Sequence, residues 1–144
     1  MSAEADPWAG LLDAARTATE RSHAPYSRVR VGAAAETTDG RMLVGSNTEC
    51  ASIGLSLCAE CALVSELART GGGTFRRVVA VGNDGRTLAP CGRCRQLLAE
   101  FAGDDLEVLL ADGPHRLDEL LPWGFGPADV SRLADPDTGN TGSG

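Results

Sequence analysis

The sequence contains no lysine: all thirteen of its basic side chains are arginine. That absence removes Schiff-base chemistry and amine nucleophiles outside an N-terminal amine, and an alanine- and arginine-rich coding bias accounts for it without a selected role. An excess of positive charge is also lacking. Twenty acidic residues against thirteen basic ones leave a net charge of −7, and no long basic stripe is present, which argues against a non-specific nucleic-acid surface. No stretch approaches the roughly 20 apolar residues of a membrane span. The opening Met-Ser-Ala-Glu-Ala-Asp carries acids where a secretory signal needs bases followed by an apolar run. The expected compartment is the cytoplasm and the expected partner a small soluble molecule, with no nucleic acid and no membrane. Thiols stay reduced in that compartment, so five cysteines, an odd number, point to metal binding or catalysis and not to a disulfide frame.

What is present suits one domain. A chain of 144 residues, 42% apolar, is long enough for a real core and too short for two ordinary domains. Residues 7–22 read as an amphipathic helix after Asp6-Pro7. Residues 28–46 read as a hairpin turning at Thr38-Asp39-Gly40-Arg41. A helix over 58–70 ends at Gly71-Gly72-Gly73, and Arg77–Val81 reads as a buried strand. A second helix over 91–102 ends near Gly103, a strand follows from Leu106 to Ala111, and His115–Leu117 suggests another. This order of elements predicts a mixed sheet with helices on its faces. Residues 1–131 form the single expected domain, and the polar, Gly-rich 132–144 is expected to be disordered.

Four of the five cysteines form two Cys-x-x-Cys pairs, Cys58-Ala-Glu-Cys61 and Cys91-Gly-Arg-Cys94, the second opened by Pro90. Each pair starts a predicted helix, where free N–H groups and the positive end of the helix dipole favour thiolate. Two sites fit. All four sulfurs could close a structural zinc ribbon, or three could hold zinc with the fourth position open for a reactive water. Three features weigh against the ribbon. Cys58-Ala-Glu-Cys61 runs straight into a helix instead of a turn; residues 62–90 exceed the roughly 15–20 residue gap of two-pair sites; and a chain with a full core does not need a metal to fold. In the open site, Glu60 lies two residues from a ligand and is placed to move a proton.

Together with Tyr26-Ser27, Val31-Gly32-Ala33-Ala34, Asn47-Thr-Glu49, Pro90-Cys-Gly-Arg-Cys-Arg-Gln96 and Leu120-Leu-Pro122 with Phe125, these pairs resemble the small homotetrameric cytidine deaminases, over roughly residues 8–127. The two half-motifs are those of zinc-dependent nucleobase and nucleoside deaminases in general. The resemblance implies a three-layer α-β-α sandwich around a mixed five-stranded sheet. It implies hydrolytic deamination of cytidine or deoxycytidine to the uridine nucleoside and ammonia, in a homotetramer. It assigns Zn2+ to Cys58, Cys91 and Cys94, attack of zinc hydroxide on C4 of the pyrimidine, and proton transfer to Glu60. The backbone of Ala59 and Cys91 would touch the base, Asn47 and Glu49 the ribose hydroxyls, and Phe125 would reach into a neighbouring subunit's site.

Three positions depart from the family's pattern. Val29 stands where a phenylalanine usually packs on the base, Ile53 where a tyrosine is usual, and Cys61 where many members carry an arginine against the thiolates; some members share the cysteine. Arg93, Arg95 and the helix dipoles remain to offset the thiolate charge. Two alternatives stay open: a deaminase of a modified cytosine nucleoside of the blasticidin S type, and a structural four-cysteine zinc module that binds a partner protein.

Overall fold

The computed structural model describes residues 5–135. Its first helix, α1 (Ala9–Thr19), buries Leu11, Ala15 and Ala18 on one stripe. The Asp6 carboxylate accepts a hydrogen bond from the Trp8 N–H at 3.0 Å, which fixes the entry to the helix. Strands β1 (Gly32–Thr37) and β2 (Met42–Ser46) follow, then a 3-10 turn at Ile53–Leu55 and helix α2 (Ala59–Arg69). Next come β3 (Phe75–Val81), the two-residue β4 (Thr87–Leu88), α3 (Gly92–Glu100), β5 (Ala102–Leu110), β6 (Gly113–Arg116), α4 (Leu117–Leu120) and α5 (Pro127–Ala134).

The sheet runs β2-β1-β3-β5-β6, with β4 paired to the end of β3. Only β3 and β5 are parallel, and the α3 crossover between them is what parallel pairing requires. Helix α1 covers one face, where Trp8, Leu11 and Ala15 pack on Ala34, Val79 and Val81. Helices α2 and α3 cover the other, where Leu63, Leu67 and Leu98 pack on Ala33, Ala35, Val78, Ala80 and Val108. Because β1 lies between both layers, its Gly-Ala-Ala-Ala run is buried on both faces. The expected three-layer α-β-α architecture is therefore the observed one, with a sixth, two-residue strand added.

Several boundaries differ from the sequence-based expectation. The hairpin begins at Gly32, not 28, because the N–H groups of residues 29–31 bond to side chains instead of a neighbouring strand. Leu117 opens α4 and does not extend β6. Helix α5 carries order through Ala134, past the expected start of the disordered tail at 132, because Pro127 at the first turn and the Asp129 carboxylate on the Gly126 N–H start a helix there. The rest of that expected tail, 136–144, lies outside the described residues.

Two glycines set how closely the layers approach. A Cβ on Gly32 would lie 2.0 Å from the Ala15 carbonyl oxygen, and one on Gly45 would lie 2.6 Å from the Ala59 carbonyl oxygen and 2.7 Å from the Ala62 Cβ. Gly45 thus seats the first turn of α2 on the edge of the sheet. Gly45→Ala is expected to lower stability by about 2 kcal/mol, roughly 8 °C in Tm. Thermal melts check this, and an unchanged Tm would show that α2 is not held at that distance.

Candidate active site

The first turns of α2 and α3 meet over the end of the sheet where Gly32 is in register with Ser46 and Val81. Cys58 and Cys91 are the N-caps of these helices, each with extended backbone, and Cys94 sits in the first turn of α3. The Sγ atoms of Cys58, Cys91 and Cys94 all lie within 4.8 Å of one another. Cys58 and Cys91 are 3.8 Å apart, which matches the ~3.8 Å edge of a tetrahedron built from Zn–S bonds of ~2.3 Å. The donor set also fits a cation chemically. Burial, then the Glu60 charge, pushes the Cys94 thiol far above its ordinary range, and burial raises Cys58. Cys91 is lowered: the upward push of burial is outweighed by hydrogen bonds from the Cys94 backbone and thiol and from Cys58. Zinc ligands are thiolates, so a divalent ion bound here takes the place of the thiol protons.

Glu60, in the first turn of α2, is 4% exposed. Its Oε2 accepts a hydrogen bond from the Cys94 thiol at 3.4 Å. Among the described residues no basic side chain pairs with it. A buried carboxylate with no cationic partner is costly unless a metal, a proton or a ligand completes its surroundings. Cys61 stands apart from the three-sulfur group. Its Sγ accepts from Arg93 Nη2 at 3.6 Å, and Arg93 also donates to the Ser56 carbonyl oxygen. Arg95 donates to the carbonyl oxygens of Pro90 and Leu120. Of the two arginines expected to offset thiolate charge, one therefore reaches, among the sulfurs, Cys61 alone, and the other reaches backbone. The first turns of α2 and α3 are what face the sulfurs.

A cleft of about 360 Å³ opens onto this cluster and is lined by Val29, Asn47, Glu49, Ala59, Glu60, Cys58 and Cys91. The structure thus gathers all but one of the expected substrate-contacting residues beside two sulfurs and the carboxylate. Ile53, Ser27, Leu57, Leu88 and Ala89 also line it. Of these, the sequence reading missed Leu57, Leu88, which ends the short β4, and Ala89, which follows it. Their one signal is their position just before Cys58 or Pro90. Phe125 is the exception: it is 58% exposed and lines a different cleft, of about 260 Å³, beside Leu121 and Arg116. Its carbonyl oxygen accepts from Gln96.

Glu49 is held by its neighbours. Its carboxylate accepts from the N–H groups of Tyr26 and Ser27 at 3.0 and 3.1 Å and from the Ser27 hydroxyl. The hydroxyl first, then those amides, hold its pKa below the usual carboxylate value despite burial acting the other way. A carboxylate has about four acceptor positions, so one remains after these donors. Asn47 accepts from the Ser22 hydroxyl and from the Val31 N–H at 2.8 Å, and donates to the Val29 carbonyl oxygen at 2.8 Å.

Three thiols converging on one point, with a fourth direction opening on a cleft and a carboxylate beside it, define the class of hydrolytic zinc centre with an open coordination position. Comparison with known proteins places the chain further. The model of the cytidine and deoxycytidylate deaminase zinc-binding region matches residues 9–110. A curated cytidine deaminase of Mycobacterium tuberculosis is 46% identical over 125 residues, covering 87% of this chain and 94% of that protein. The crystal structure of a cytidine deaminase from that organism superposes with a TM-score of 0.81 over 84% of this chain and 98% of its own, at 46% identity. That of the Mycobacterium leprae cytidine deaminase gives 0.79 over 81% and 98%, also at 46% identity. The chain belongs to the cytidine and deoxycytidylate deaminase family, and Cys58, Cys91 and Cys94 lie within the residues that match its zinc-binding region.

Proposed function

We propose that the protein deaminates cytidine, deoxycytidine or both by hydrolysis, with Glu60 as proton carrier. The observation that carries the reading is the buried Glu60 carboxylate 3.4 Å from Cys94, beside the three-sulfur group at the head of a nucleoside-sized cleft. Cys58, Cys91 and Cys94 would hold zinc, which supplies a Lewis acid that lowers the pKa of water toward ~7. Glu60 takes one proton from the attacking water and passes it to N3 as the oxygen adds at C4. It then carries the second proton to the exocyclic nitrogen, and the C–N bond breaks with its electron pair leaving on ammonia. Burial suits Glu60 to this work, because neither bulk water nor a fixed cation competes for its proton.

The remaining acceptor position of Glu49 suits a ribose hydroxyl, and Asn47 stands beside it in the cleft. Ala59, with no exposed surface, brings backbone to the cleft wall where the base would lie. Phe125 and the exposed apolar rim of Tyr26, Val29, Ile53, Leu55 and Leu57 support a homotetramer in which Phe125 completes a neighbour's cleft. The five cysteines, none of them disulfide-bonded among the described residues, support a cytoplasmic enzyme; among the described residues no helix is long and apolar enough to cross a membrane. A structural four-cysteine module is disfavoured, since the Cys61 sulfur lies outside the group and against Arg93.

Ammonia release from cytidine, deoxycytidine and blasticidin S by the purified, zinc-loaded protein tests the reading. Turnover of cytidine or deoxycytidine at kcat/KM of at least ~10⁴ M⁻¹s⁻¹ is expected. Selective turnover of blasticidin S would move the assignment to modified nucleosides, for which the aliphatic Val29 and Ile53 walls leave room. No turnover of any of the three would overturn it.

A further inference from the structure

The segment 28–31 belongs to no strand, so its polar backbone groups need other partners. The Arg28 N–H donates to the Ala24 carbonyl oxygen and the Val31 carbonyl oxygen accepts from the Asn47 N–H, and two asparagine side chains supply four further partners, one along each edge. Asn83 donates from Nδ2 to the Arg28 carbonyl oxygen at 3.0 Å and accepts from the Arg30 N–H at Oδ1, at 2.7 Å. Asn47 does the same one residue on, with the Val29 carbonyl oxygen and the Val31 N–H. The Val29 N–H is taken by the Ser27 hydroxyl at 3.0 Å. Each amide thus stands in for one residue of a neighbouring strand. The segment also starts from an unfavourable conformation, since Arg28 has φ 61, in the left-handed region that side chains disfavour. Something must hold it there, and Asn83 bonds to the residue itself and to the second one after it.

Asn83 comes from the turn after β3, outside the cleft's lining and outside every motif above. What it fixes is functional. Val29, on the clamped segment, is a wall of the cleft, and Ser27, just before it, orients Glu49. We infer that Asn83 is a positioning residue for substrate binding: by clamping Arg28 and Arg30 it sets the Val29 wall and the Ser27–Glu49 pair without touching substrate. The inference rests on the proposed reading of the cleft as the nucleoside site. The chemistry sits on α2 and α3, while the Asn83 side chain bonds to Arg28 and Arg30, so its loss acts on ground-state binding and leaves the chemical step alone.

The test compares Asn83→Ala and Asn83→Asp with the unaltered enzyme for kinetics on cytidine, zinc content and backbone hydrogen exchange. Asn83→Ala should raise KM about tenfold, with kcat within about twofold and zinc unchanged, as loss of two backbone hydrogen bonds at a binding wall implies. Asn83→Asp keeps the acceptor for Arg30 and loses the donor to Arg28, so its KM should fall between the two. Amide exchange at Val29 and Val31 should quicken, although their acceptors are Ser27 and Asn47, because the segment itself loosens. An unchanged KM, or parallel loss of kcat and zinc, would overturn the inference. If even the unaltered protein releases no ammonia from cytidine, the functional reading fails by itself; exchange at Val29 and Val31 then decides the clamp, and unchanged exchange there overturns it.

Discussion

Glu60→Gln is expected to lower kcat for cytidine by about 10⁴-fold, the upper end of what a positioned proton carrier contributes, while zinc content stays that of the unaltered protein. The amide is isosteric with the carboxylate, so the packing around a side chain only 4% exposed is kept. It cannot accept a proton from water and give it up again, which is the one property the proposed reaction takes from this residue. The three sulfur ligands are untouched, and at 3.4 Å from the Cys94 sulfur the amide that replaces the carboxylate can donate its N–H to a metal-bound thiolate. Metal analysis beside steady-state kinetics separates the cases. Retained turnover with zinc bound would remove Glu60 from the mechanism, and loss of zinc together with turnover would make it a part of the metal site.

The elements that carry the chemistry were legible because their signals are local. Each Cys-x-x-Cys pair sits at a helix start, and the Cys58 and Cys91 N-caps fall where the motif placed them. Gly71-Gly72-Gly73, all at positive φ, ends α2 as the sequence implied. Segment 28–31 was misjudged as strand because alternation reports which way side chains face, not what bonds the backbone. Val29 does face the cleft and Val31 does pack on the core, but the partners are amides from Asn47 and Asn83, sixteen and fifty-three residues away from the N–H groups they bind. Such pairing has no periodic signature. Helix α4 is four residues long, too short for a 3.6-residue period to show. The place of Cys61 was legible only as a choice between two zinc sites. Its separation from the cluster depends on α2 and α3 meeting at their first turns, which is tertiary.

That separation gives the second large effect. Cys91→Ser is expected to weaken zinc binding by more than about a hundredfold, beyond the range of changes that only touch a ligand's surroundings, and to abolish activity with it. Serine's hydroxyl is a poor substitute for a thiolate, and two remaining sulfurs do not hold the ion against water. Cys61→Ser should keep zinc stoichiometric and activity measurable, because its sulfur only accepts from Arg93 at 3.6 Å and a serine oxygen can accept there too. The contrast is informative because Cys58, Cys61, Cys91 and Cys94 look equivalent as two matched pairs in the sequence. Metal analysis after dialysis against a competing chelator, run on both variants and the unaltered protein, decides it. If Cys61→Ser loses zinc as completely as Cys91→Ser, the fourth position is a sulfur and not an open one. The site is then a closed structural centre, and a reaction that needs water at that position has nowhere to occur.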